Sequence, residues 1–170
     1  AFYAGELESA VAYLQMVLDS GMDPTRPLNL LGLVYHLRGF ESEAESRLQE
    51  AKEAAGPSLF DKGIILTNLG LISTYRRAPD DALLYYAQAL EIHRKVENRP
   101  EAAETLTRMG RLCRAKRALY EASKYHHEAL EIWRSLGNRR NVALELRLLA
   151  AVFREKEDYT EARDLSERAL

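Results

Sequence analysis

A single cysteine, Cys113, stands in 170 residues, so no internal disulfide framework and no multi-cysteine metal site is available. Charge of one sign is also scarce. The net charge is −2, yet residues 1–85 hold 7 Lys/Arg against 12 Asp/Glu and residues 86–170 hold 17 against 14. The chain is therefore acidic in front and mildly basic behind. Apolar runs are short, and none approaches the ~18–20 residues of a membrane span. The start carries Glu6 and Glu8 and no basic n-region, which is not the pattern of a signal peptide. The nine glycines are scattered and make no phosphate-cradling loop, and neither Ser nor Cys sits in a nucleophile elbow. What remains is 46% apolar and 29% charged, a globular balance that suits a reducing, cytoplasmic setting.

What the chain does contain is helical periodicity. Apolar residues recur at three- and four-residue spacing almost throughout, and no stretch alternates with period two. The five prolines, Pro24, Pro27, Pro57, Pro79 and Pro100, fall near expected helix ends, where the ring is tolerated. With Gly21, Gly39, Gly56 and Gly137-Asn138 they divide the chain into helices joined by short turns. Ser58, with Asp61 three residues on, makes a capping pair for the helix that follows. Asp80-Asp81 are expected just ahead of a helix, favoured by its positive end.

The chain also repeats itself. Asp81–Pro100 lies over Glu121–Arg140 with Ala82 on Ala122, Tyr85 on Tyr125, Ala89 on Ala129 and Leu90-Glu91-Ile92 on Leu130-Glu131-Ile132, and the register continues to Glu161-Ala162-Arg163 and Ala169-Leu170. A fixed period of this size predicts a solenoid in which each unit buries its face only against neighbours. Within the period, four series line up. They read Leu28, Leu31-Gly32, Tyr35, Ala44, Leu48, Ala51; Leu66, Leu69-Gly70, Ser73, Ala82, Tyr86, Ala89; Leu106, Met109-Gly110, Cys113, Ala122, His126, Ala129; and Leu146, Leu149-Ala150, Phe153, Ala162, Ser166, Ala169. A partial first unit retains Ala10, Leu14 and Val17.

These series resemble the tetratricopeptide repeat, a hairpin of two helices, A then B. The resemblance implies an all-α fold, a right-handed superhelix of such hairpins. It divides the chain into a partial unit over 1–24 and units over 25–57, 58–98, 99–138 and 139–170. Gly32, Gly70, Gly110 and Ala150 are expected where helix A approaches helix B, and Ala44, Ala82, Ala122 and Ala162 answer them from helix B, because only small side chains fit there. Ser73, His126 and Ser166 depart from the family's apolar preference. Ala10 to Ala44 spans the usual 34 residues, whereas later units lengthen towards forty. The longer unit is similar to those of kinesin light chains, Pins-type adaptors and the sensor arms of STAND-class signalling ATPases.

Chemistry is sparse. His126-His127-Glu128 offers ligand types, but adjacent helical positions diverge by about 100° and the H-E-x-x-H spacing is missing, so packing is expected and no metal or cofactor. His36 and His93 stand alone on helices and are expected solvated or half-buried. Trp133 and Cys113 are expected to pack between units. No catalytic group is indicated, since nothing points to a pocket that would perturb a pKa.

One constellation stands out. In the tetratricopeptide arrangement the A helices line a concave face, and Asn68, Arg108, Arg111, Arg114, Arg147 and Arg154 occupy A-helix positions around the packing Gly or Ala. Carboxylate-binding members hold a peptide's C-terminus with Asn, Lys and Arg at such places. Asn68 and Arg108 match that pattern, while Leu33 and Glu104 do not. The arginines form either a groove for acidic or carboxylate-bearing segments or a solvated face balanced by glutamates. Nucleic acid is disfavoured by the acidic balance and the lack of interleaved aromatics. The expected role is a protein–protein interaction or scaffolding module of a larger cytoplasmic regulatory protein. The alternatives are an effector-sensing arm of a transcription regulator or signalling ATPase and, ranked below it, a helical-repeat phosphatase. Ala1 and Leu170 are expected to be cut ends, uncapped and able to drive self-association.

Overall fold

The computed structural model describes residues 2–169, so Ala1 and the repeat position at Leu170 lie outside the described residues. Among the described residues there are nine helices and no strand: α1 Phe2–Asp19, α2 Thr25–Leu37, α3 Glu41–Ala54, α4 Leu59–Tyr75, α5 Pro79–Lys95, α6 Arg99–Ala115, α7 Leu119–Ser135, α8 Arg139–Glu155 and α9 Tyr159–Glu167. The chain divides into two compact units, Ala1–Ile92 and His93–Leu170, with the division inside α5.

The helix ends follow from local chemistry. Side chains of Ser58, Asn138 and Asp158 accept the backbone N–H three residues on, at Asp61, Asn141 and Glu161 (3.3, 3.1 and 3.2 Å). Pro79 opens α5 and Pro100 sits in the first turn of α6, where a missing N–H costs nothing. Asp80 and Asp81 lie within the first turn of α5 rather than ahead of it, because Pro79 already begins the helix.

Helix C-termini close by one recurring device. The N–H of Phe40, Ala78, Asn98, Ala118, Asn138 and Asp158 each returns to the carbonyl five residues back, at 2.8–3.0 Å. Such a closure requires a left-handed residue just before the donor. Glycine fills that place at Gly39 and Gly137 (φ 80° and 67°), but Arg77, Glu97, Arg117 and Glu157 fill it elsewhere (φ 55–63°). Glu97 is exposed and stands one repeat before Gly137. Glu97→Gly should therefore raise stability by about 0.5–1 kcal/mol, the left-handed strain of an L side chain less the extra backbone freedom of glycine. Denaturant melts measure it, and a loss would mean that the Glu97 side chain makes a stabilising contact.

In the first unit, α2, α3 and α4 pack around Leu28, Ala44, Leu48, Ala51, Ile65, Leu66, Leu69 and Ile72. In the second, Leu130, Leu146, Leu149, Ala150 and Leu165 join α7, α8 and α9. The small residues sit where the helices meet. A Cβ on Gly32 would come within 2.6 Å of Leu48, one on Gly70 within 2.6 Å of Tyr86, and one on Gly110 within 2.6 Å of His126. Each partner lies sixteen residues beyond its glycine. At the fourth such position the small residue already has a Cβ, Ala150, and its counterpart sixteen residues on is Ser166. A large residue facing glycine becomes a small one facing alanine. Ala44, Ala82 and Ala122 are fully buried and Ala162 nearly so.

The structure corrects three expectations. His93 is fully buried instead of solvated. His36 is not alone: its Nδ1 lies 2.9 Å from both Glu41 carboxylate oxygens, and its ring meets that of Tyr75 edge-on at 4.4 Å. Ser166 is exposed, since no described element covers it, while Ser73 and His126 are buried as their positions imply. Trp133 and Cys113 are both buried, and burial first, then the charge of Glu121, raises the Cys113 thiol pKa above its ordinary value.

Candidate partner-binding face

On α6 the spacing of Glu101, Glu104, Arg108, Arg111 and Arg114 places five charged residues along one stripe of the helix. Leu106, Met109, Gly110 and Cys113 are buried on the opposite side and hold the stripe outward. Arg108 Nη2 pairs with Glu104 Oε1 at 3.0 Å, and its buried Nε has no hydrogen-bond partner. Arg114 Nε lies 3.1 Å from Glu155 Oε1, and Glu155 also accepts Arg117 Nη1 at 2.9 Å. Arg111, between them, is exposed and has no ion pair among the described residues. The stripe is acidic at its first turn. There burial, and then the neighbouring charge of Glu104, push the Glu101 carboxyl up from its ordinary value, against the pull of Arg108.

Asn68 belongs to the first unit. Its Nδ2 donates to Asn29 Oδ1 (2.8 Å), tying α4 to α2. Next to Asn29 a cavity of about 250 Å³ opens between these helices, floored by Ile64 and Ile65 and rimmed by the half-exposed Leu30 and Phe60. Arg147 and Arg154, both exposed, line a third place, a cavity of about 320 Å³ between α8 and α9 shared with Leu144, Leu148, Ala150 and Ser166. Arg108, Arg111 and Arg114 are thus brought onto one stripe, and Arg147 and Arg154 into one cavity.

Two groups escaped the sequence reasoning. Asn29 carried a signal, since it stands 39 residues before Asn68 and pairs with it. Glu145 carried none: a carboxylate in α8, it is fully buried, accepting from the Thr107 hydroxyl (2.5 Å) and from His126 Nδ1 (2.8 Å). His126 itself is fully buried, its Nε2 against Gly110 without a polar partner. This is a packed core network that joins α6, α7 and α8. Among the described residues no group of three His, Cys, Asp or Glu is placed to hold a metal ion, and no helix is long and apolar enough to cross a membrane.

Family models described as tetratricopeptide repeat match residues 64–100 and 101–170, together more than half of the chain. The chain belongs to the tetratricopeptide-repeat family. As a member it is an all-α solenoid of helical hairpins and a protein-interaction module. Its fold is shared at low identity with several solved tetratricopeptide proteins. BtubC from P. vanneervenii superposes with a TM-score of 0.90 at 20% identity, over 99% of this chain and 73% of that one. YrrB, described as a TPR protein with an unusual peptide-binding site, gives 0.67 at 21% identity, over 98% and 78%. The STAND protein with a tetratricopeptide repeat sensor from Pyrococcus horikoshii gives 0.79 at 20% identity, over 86% of this chain and only 23% of that one. No curated protein matches in sequence.

Proposed function

We propose that this tetratricopeptide module binds an extended or helical protein segment along its A-helix face, and that the segment presents acidic side chains or a terminal carboxylate to the arginines of α6. Exposed Arg111, without an ion-pair partner and flanked by the carboxylate-held Arg108 and Arg114, carries the reading. A guanidinium fork suits a carboxylate through two parallel hydrogen bonds. A rigid helical face also loses little entropy when a segment docks. Asn68, with Asn29, is the equivalent polar pair of the first unit. The lone buried cysteine is compatible with a reducing, cytoplasmic setting. The role is scaffolding within a regulatory protein, by binding rather than by catalysis. A second reading, the sensing arm of a signalling ATPase, is favoured by the likeness to the STAND sensor.

Arg108→Ala combined with Arg111→Ala tests the site. Each buried, charge-assisted contact contributes on the order of 1.5–3 kcal/mol, so a micromolar interaction with an acidic segment should fall below detection. Binding by the wild type should also weaken as salt shortens the Debye length from about 10 Å at 0.1 M to about 3 Å at 1 M. Pull-downs with both proteins are compared; identical partners at identical salt sensitivity would reduce these arginines to a solvated face.

A further inference from the structure

Neighbouring A helices meet differently in the two compact units. In the second, Thr107 stands three residues before Gly110 and donates to Glu145, which stands five before Ala150. A buried carboxylate thus closes the α6–α8 contact. The same two places between α2 and α4 hold Asn29, three before Gly32, and Ile65, five before Gly70. Ile65 offers no polar atom, and Asn29 Oδ1 accepts instead from Asn68 Nδ2 at 2.8 Å. Beside them the contact stays open as the cavity of about 250 Å³. It lies between two successive A helices whose connecting helix α3 is packed in place, so the opening belongs to the interior of the array and to neither end.

We infer that this cavity takes one bulky apolar side chain, leucine- or phenylalanine-like, from an extended segment of a partner polypeptide, and that Asn29 and Asn68 hold the segment's main chain beside it. The inference rests on the reading that a segment docks on the A helices, but not on the arginines of α6. Size and lining set the class of side chain. A cavity of about 150 Å³ walled by aliphatic and aromatic groups holds benzene, whereas drug-sized ligands need about 300 Å³ or more. Ile64 and Ile65 form an apolar floor, and Leu30 and Phe60 form apolar walls. The charges at the rim, Arg26 and Asp61, lie 3.7 Å apart and offset each other, so nothing there calls for an ionic occupant. The amides set the conformation of the segment. Their mutual bond leaves the N–H groups of Asn29 and the carbonyl oxygen of Asn68 without a hydrogen bond among the described residues. Those groups match a peptide C=O and a peptide N–H. An extended segment presents both unpaired, whereas a helix spends its own internally. A second copy of this chain is a poor occupant for that reason, since its described residues are helices joined by short turns.

N-acetyl-leucine N-methylamide and N-acetyl-phenylalanine N-methylamide are the probes, because each carries one side chain between two peptide groups. They are titrated into the isotope-labelled chain and followed by NMR. The expected result is saturable binding with amide shifts centred on α2 and α4, and the corresponding alanine probe about 10- to 100-fold weaker. Leu30→Trp, which fills the cavity from its rim, should abolish binding, and Phe60→Ala, which removes a wall, should weaken it. Both positions are half exposed, so helical circular dichroism should be unchanged. Asn29→Ala combined with Asn68→Ala should weaken both probes about tenfold and preserve their advantage over alanine. Arg108→Ala combined with Arg111→Ala should change nothing, so failure of the α6 reading and failure of this one are told apart. Absence of saturation, equal affinity for the alanine probe, or indifference to both Leu30→Trp and Phe60→Ala overturns the proposal. So does weakening by the arginine change, which would move the probe to α6. Indifference to the paired asparagine change overturns the segment in favour of a free apolar ligand. Shifts at the same residues that grow with protein concentration alone would give the place to a second copy. Loss of probe binding in a form extended beyond the 170 residues would give it to the chain's own flanking residues, and either result overturns the choice of occupant.

Discussion

Alanine in place of Glu145 should lower stability by about 3–5 kcal/mol, the cost of breaking a buried pair by removing one partner. The change strands the His126 Nδ1 donor inside a closed core, leaves the Thr107 hydroxyl only the Ala103 carbonyl to donate to, and opens a cavity between α6, α7 and α8. Glu145→Gln should cost less, because the amide oxygen can keep one of the two bonds. The triple change Thr107→Val, His126→Phe and Glu145→Leu should recover most of the loss or exceed wild type, since a packed apolar set of similar volume often replaces a buried polar network without penalty. Chemical denaturation of the four proteins measures the series. A wild-type curve for Glu145→Ala would show that the network contributes nothing to the fold.

Gly110→Leu should be the most damaging change at a helix contact. The Cβ alone would sit 2.6 Å from His126 Nε2, and the ring cannot retreat freely because Glu145 holds its other nitrogen. Overpacking of this kind costs about 1–3 kcal/mol and sometimes more. For a chain of this size that corresponds to roughly 2–4 °C of melting temperature per kcal/mol. Gly70→Leu should behave alike against Tyr86, which is also fully buried. Arg111→Ala, one residue from Gly110 but exposed, should stay within about ±0.5 kcal/mol. Thermal melts rank the three, and equal midpoints for Gly110→Leu and wild type would contradict the close α6–α7 contact.

The contrast between Gly110 and Glu145 marks what could be read from residue order. The glycines declared themselves because a period of forty put them in one column with Ala150, and steric exclusion leaves a visible signature in residue size. The cap at Ser58 was legible for the same reason: its partner lies three residues away. Glu145 was not, since a carboxylate inside an amphipathic helix is counted as an outward residue, and its two donors stand 38 and 19 residues away in sequence. His93 was misjudged on the same rule. Among the arginines, pattern alone placed Arg108, Arg111 and Arg114 on one stripe. It could not separate Arg111 from its neighbours, because that distinction depends on Glu104 and Glu155 reaching two of the three.

Five of the polar bonds that tie one hairpin to the next share a further property. Gln49 to Tyr85, Asn68 to Asn29, Arg94 to Glu128, Thr107 to Glu145 and Arg117 to Glu155 span 36, 39, 34, 38 and 38 residues. Each closes a loop of almost one length, so the chain-entropy cost of closure is nearly the same at every step, rising only with the logarithm of loop size. No long-distance closure has to precede the others. Folding can therefore start in any hairpin and spread outward by equal increments, and adding a unit lengthens the process without raising its highest barrier.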